Sequence, residues 1–205
     1  MEQRSLGKLI ERTIKSAAAR FRKSLERHYP AEGKNGFNER NLTFQFAHEF
    51  CRRKGSHAFF EVPFVTKGRL RKDNHFDAML FNSDHLLIVE SKRLFSRAKS
   101  ESVIADIRRI CRKGHITSLR HRFEKPHRAP NSTFGLILAE HWEENASEGK
   151  VIEWWLGKTK GRHWDRDGYP EKWTYGYRPI ISYPLRKRTT KDSTVHWLYC
   201  YGPLD

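Results

Sequence analysis

Residues 75–92, HFDAMLFNSDHLLIVESK, decide how the rest of the chain is read. Two β-type runs, 76–81 and 86–91, flank a polar break at 82–85, which is a hairpin signal. A two-residue turn at Ser83 and Asp84 sets Leu80 opposite Leu87, Ala78 opposite Val89 and Asp77 opposite Glu90. Directly opposed residues of an antiparallel pair have Cβ atoms about 4.5–5.5 Å apart, so two carboxylates there repel unless positive charge lies between them. Lys92 follows Glu90 by two residues and shares its face, because strand side chains alternate. Carboxylate oxygens suit Mg²⁺, which keeps several waters and binds phosphate oxygens as well. A neighbouring lysine can orient a metal-bound water or stabilise charge developing on a phosphate. The plainer reading of Glu90-Ser91-Lys92 is the solvated end of a buried strand, since charge runs usually mark solvated faces. The registered Asp77 shifts that balance.

In this arrangement, Phe76-Asp77 followed by Glu90-Ser91-Lys92 resembles the motif of the PD-(D/E)xK nuclease superfamily, the restriction-endonuclease-like fold. There an Asp near a strand end precedes E-x-K on the next strand; Phe76 stands where the family frequently has Pro. The resemblance spans roughly residues 37–139. It implies a metal-dependent phosphodiesterase with Asp77, Glu90 and the Ser91 backbone carbonyl as ligands of Mg²⁺, for which Mn²⁺ substitutes, and Lys92 beside the attacking water. The superfamily often carries an acid on the helix before the first strand, and Glu49 matches that position in type and order. Glu49 shares a helix face with Leu42, Phe46 and Phe50, and a carboxylate on an apolar face must be paired or metal-linked. An ion pair with Arg52 or Arg53 is the plainer account.

The 205 residues can bury one sizeable core, and a single domain is expected. Within it we distinguish an N-terminal helix over 1–30, the core over 37–139 and an aromatic, basic arm over 157–191. The formal charge of +16 argues for a polyanionic partner: DNA, with RNA as the alternative. No apolar run approaches the roughly 20 residues that span a bilayer, and no secretory signal is visible, so no membrane partner and a cytoplasmic location are expected. Cys51, Cys111 and Cys200 form neither a disulfide framework nor a zinc or iron–sulfur pattern.

Along the chain, Leu6, Ile10, Ile14, Ala17, Phe21 and Leu25 mark an amphipathic helix whose other face is basic. Packing on the core is the preferred reading of it, with a homodimer contact as the other. A second helix is expected from Asn38 or Asn41 to about Lys54, stopped by Gly55. Residues 58–66 read as a strand that Pro63 confines to an edge or a bulge. Lys67, Arg69, Arg71 and Lys72 surround its turn and are placed to meet a phosphate backbone. After Lys92, a stripe of Val103, Ile104, Ile107, Ile110 and Cys111 predicts the crossover helix, with Arg108, Arg109, Arg112 and Lys113 on its outer side. Residues 133–139, TFGLILA, predict a strand buried on both faces. Residues 145–156 read as helical and 194–201 as a last strand. In the arm, Trp164, Trp173 and Tyr175 interleave with cations, as base-stacking residues would; core packing is the equal alternative.

The expectation is therefore an α/β domain with an α-β-β-β-α-β core and a mixed central sheet flanked by helices. Its expected function is Mg²⁺-dependent hydrolysis of DNA, as an endonuclease rather than an exonuclease. The alternative is a non-catalytic nucleic-acid-binding protein.

Overall fold

In the computed structural model the described residues are 2–27, 39–66, 69–94, 99–121, 123, 130, 132–143, 149–158, 169–184 and 192–204. Helix α1 (Glu2–Arg27) turns the predicted stripe inward: Leu6, Ile10, Ile14, Ala17, Phe21 and Leu25 are each at most 2% exposed. With α2 (Arg40–Cys51) it covers one face of the sheet, where Phe21 meets Trp197 at 5.3 Å between ring centroids. The second helix begins at Arg40, between its two expected caps, with Glu39 at the cap position. Asn41 lies inside its first turn, and Asn38 is outside the described residues. Gly55, at φ +77°, takes the left-handed conformation just beyond its end.

The strands are β1 (His57–Thr66), β2 (Arg69–Phe81), β3 (His85–Arg93), β4 (Ser132–Glu143), β5 (Thr174–Pro184) and β6 (Asp192–Pro203). They form one sheet in the order β1-β2-β3-β4-β6-β5. All neighbours are antiparallel except β3 and β4, which run parallel, Glu90 lying beside Ile137 and Lys92 beside Ala139. A parallel pair needs a crossover, and it is helical as expected. It comes in two pieces, α3 (Ser100–Ile110) and α4 (Lys113–Arg120), because Arg112 turns to an extended ψ of 112° between them. The expected succession of helix, three strands, helical crossover and strand is thus present, with two more strands beyond it.

Alternation along β4 divides the molecule. Phe134, Leu136 and Leu138 join the core under α1 and α2. Ile137 and Ala139 join the opposite core, under α3, α4 and α5 (Gly149–Trp155). β1 is the outer strand on its side, and its ladder to β2 is irregular between Pro63 and Val65, so both readings of Pro63 hold together.

The arm needs correction. Its described part is sheet and core: β5 pairs along β6, and Trp173 is buried. The Trp173 ring lies flat against the backbone of β4 and β6, where a Cβ on Gly135 would come within 2.7 Å of it and one on Gly202 nearer still. Only glycine leaves room there. Tyr175 is half-buried, its hydroxyl donating to the Pro170 carbonyl at 2.9 Å and its ring facing Trp155. Trp164 lies outside the described residues. Among the described residues, no helix is long and apolar enough to cross a membrane.

Candidate active site

The hairpin that carries the acids is fixed by its turn. Asn82 Oδ1 accepts the backbone N–H groups of Asp84 (2.9 Å) and His85 (2.8 Å), and the Asn82 N–H donates to the His85 carbonyl at 3.0 Å. This side-chain turn sets the expected register: Phe81 faces Leu86, Leu80 faces Leu87 and Ala78 faces Val89. There the regular ladder ends. Beyond it the Ser91 N–H donates to Asp77 Oδ2 at 2.6 Å, so the Asp77 carboxylate binds the backbone in the middle of Glu90-Ser91-Lys92. The Ser91 hydroxyl shares a 2.6 Å hydrogen bond with Thr43 of α2, tying that helix to β3.

Glu90 and Lys92 point toward α3, whose Asp106 and Arg109 complete the group. Glu90 is 1% exposed, and its Oε1 accepts from Arg109 Nη2 at 2.8 Å and Nε at 3.1 Å. Arg109 Nη2 also lies 2.7 Å from Asp106 Oδ1, and Asp106 Oδ2 is 3.1 Å from Lys92 Nζ. Charges therefore alternate along a chain of four side chains: Glu90, Arg109, Asp106, Lys92. Asp77, whose carboxylate acts on Glu90 through space, makes three acids against two cations.

Burial and this surplus set the proton affinities. Glu90 is pushed up to about 8, first by burial and then by the Asp77 and Asp106 carboxylates, with Arg109 only partly offsetting them. Burial raises Asp77 and Asp106 too, against the Ser91 N–H and Lys92 for the first and against Arg109 and Lys92 for the second. Burial works against the Lys92 ammonium as well, but Asp106, Glu39 and Glu90 outweigh it, and Lys92 titrates above the ordinary lysine value.

Asp77, Glu90 and Lys92 are thus brought together as the sequence suggests, and Glu49 is not with them. Its carboxylate is held by Arg20 of α1 at 3.4 Å and by Arg52 at 3.2 Å, the plainer ion-pair account. The acid near α2 that acts on Asp77 and Lys92 is Glu39, just before the helix. Arg109 also needs correction, since it faces inward to Glu90 and Asp106 instead of lining the outer side of α3. Arg108, Arg112 and Lys113 are exposed or partly so. Arg69, Arg71 and Lys72 lie in β2, and Lys67 is outside the described residues. Asp106 escapes the sequence reading although a signal marks it: it falls three residues after Val103 and four before Ile110, an acid inside an apolar stripe.

No group of three His, Cys, Asp or Glu side chains placed to hold a metal by themselves occurs among the described residues. Asp77 and Glu90 can still serve a hard divalent ion that takes one or two carboxylates and fills its remaining positions with water and phosphate. Their raised proton affinities are those of buried carboxylates short of positive charge, and that donor chemistry fits such an ion. Comparison with protein-family models, with curated proteins and with solved structures finds no match to this chain.

Proposed function

We propose that the protein is a metal-dependent nuclease that hydrolyses phosphodiester bonds in DNA, cutting within strands, on a core of the restriction-endonuclease-like kind. The observation that carries the reading is the hydrogen bond from the Ser91 N–H to Asp77, which ties one acid to the backbone between Glu90 and Lys92. Asp77, Glu90 and the Ser91 carbonyl are the groups that would hold Mg²⁺ or Mn²⁺. Such an ion supplies Lewis-acid polarisation of the scissile phosphate and a more acidic bound water.

The chain's own residues do the rest. Asp106 fixes the Lys92 ammonium and keeps it charged at neutral pH. Lys92 is therefore a hydrogen-bond donor that orients the attacking water and stabilises negative charge on the phosphate, not a base that removes a proton. Arg109 holds the Glu90 carboxylate in place and offsets its charge. Asp106, which touches both cations, is a positioning residue.

The test uses supercoiled plasmid, single-stranded DNA, a branched junction and RNA, each with Mg²⁺, Mn²⁺ or EDTA. In Asp77→Asn, divalent-ion binding and cleavage should collapse together, while metal-free affinity for nucleic acid persists. In Lys92→Ala, calorimetric ion binding should remain while cleavage falls by about 100-fold or more, the usual scale for a group of this kind. Cleavage that survives Asp77→Asn would place the active centre elsewhere. The second reading, a non-catalytic nucleic-acid-binding protein, is favoured by the ion pairs that already engage Glu90 and Lys92. A wild type that binds these substrates but cuts none of them would favour it over the first.

A further inference from the structure

On the α3 and α4 side of the sheet, the β1–β2 edge carries an apolar groove of about 460 Å³ lined by Phe59, Val62, Pro63, Met79, Phe81 and Phe123. We propose that this groove takes an unpaired nucleobase from a single-stranded segment of nucleic acid, with the base stacking on Phe59. The proposal rests on the nuclease reading for its role beside a scissile phosphate, but not for the binding itself.

The rings are already arranged for stacking. Phe59 lies over Phe81 at 5.9 Å with 19° between planes, and His57 lies over Phe81 at 5.3 Å and 30°. Phe123 meets Phe81 edge-on at 5.2 Å. The ladder is incomplete at its outer end, because Phe59 is 56% exposed. The lining offers hydrocarbon and ring faces with few polar groups, which suits the π-face common to every base.

Met79 and Phe81 place the groove on β2, the strand that carries Asp77, and Glu61 lines it as well. Phe60 pairs with Ala78 and Val62 with Phe76, so Glu61 lies on the stretch of β1 that flanks Asp77. Phe59 is two residues further along β1, about 7 Å, so a base seated on it belongs to a nucleotide close to a phosphate at Asp77. Glu61 does not present a bare charge to that strand, since His75 Nε2 lies 2.6 Å and Arg40 Nη2 3.3 Å from its carboxylate.

A second copy of this chain adding a strand to β1 is the competing occupant, and the edge is built against it. Glu61 stands at φ +50°, Pro63 offers no N–H, and the ladder shifts between Pro63 and Val65. Bulges and prolines are the devices that blunt an edge strand against another chain. The charge of +16 points to a polyanion instead.

The experiment measures binding in EDTA of labelled oligo-dT, oligo-U and a duplex of the same length. Phe59→Ala should weaken both single strands by about tenfold, within the range for removing one stacking partner, and the duplex by less. Phe59→Trp should retain the affinity and gain an indole signal quenched by the oligonucleotide. A weakening confined to one of the two homopolymers would overturn recognition through the π-face, which both bases share. Unchanged single-strand affinity in Phe59→Ala would overturn the proposal, as would equal weakening of single strand and duplex. A dimer that Phe59→Ala dissociates, with affinity intact, would give the groove to a second copy. Cleavage with Mg²⁺ is scored separately: if the wild type cuts nothing but the Phe59 effect on binding stands, the nuclease reading fails alone. If the wild type cuts and Phe59→Ala matches it in binding, the stacking site fails alone.

Discussion

At Glu90 the two forces on a buried acid can be separated. Its proton affinity is raised to about 8 from an ordinary value of 4.5, chiefly by burial, and the Arg109 guanidinium does not restore it. The unfolded chain titrates near the ordinary value, so between the two the folded protein holds a proton that the unfolded chain lacks. Stability from this group is therefore full below about pH 4.5, declines as pH rises and is gone above about 8. In EDTA the melting temperature of the wild type should fall across that interval more steeply than that of Glu90→Gln, and a divalent cation should reduce the difference. Parallel curves would mean that Arg109 keeps Glu90 ionised throughout. Asp77, Glu90 and Lys92 are legible in the sequence because strand alternation and one short turn suffice to juxtapose them. Glu49 stands out there in place of Glu39 because an acid on an apolar face is the stronger local signal. Arg20 of α1, distant in sequence, satisfies Glu49. No local pattern announces that contact.

At the scale of elements, the hairpin and the apolar runs are legible because each carries its own period and its own punctuation. β5 is not, since Tyr175, Tyr177 and Arg178 look equally like an exposed basic arm. Two glycines on other strands turn that segment inward: Gly135 and Gly202 clear the space that Trp173 fills. Trp173→Ala should destabilise the fold by about 3–5 kcal/mol, as large-to-small changes in cores do, read from chemical denaturation. The single-strand affinity of the folded fraction should not follow it. A variant of normal stability that binds single strands poorly would return Trp173 to base stacking. The joint between α3 and α4 falls at Arg112, whose ψ of 112° leaves the helix two residues before Gly114, a weak helix former.

At the scale of the whole molecule, the formal charge of +16 says how the protein meets its partner more than how it folds. The internal ion pairs engage Lys92 and Arg109, whereas Arg108, Arg112 and Lys113 stand exposed around the end of α3, close in sequence to the candidate site. If those three meet phosphates, each one neutralised displaces counterions, and affinity must fall as salt rises. Engagement of roughly four to six phosphates gives a slope of log affinity on log salt of about −4 to −5 on duplex and about −3 to −4 on a single strand. Replacing Arg108, Arg112 and Lys113 with Ser should flatten the slope by about one for each phosphate that is no longer neutralised, uniformly across sequences. Asp77→Asn is the background for this titration, because it keeps the substrate intact if the proposed site is correct. A slope that does not move would relocate the phosphate track to the basic turn between β1 and β2. A slope near zero in the unreplaced background would remove the polyanion itself, and with it both the nuclease reading and its binding-protein rival.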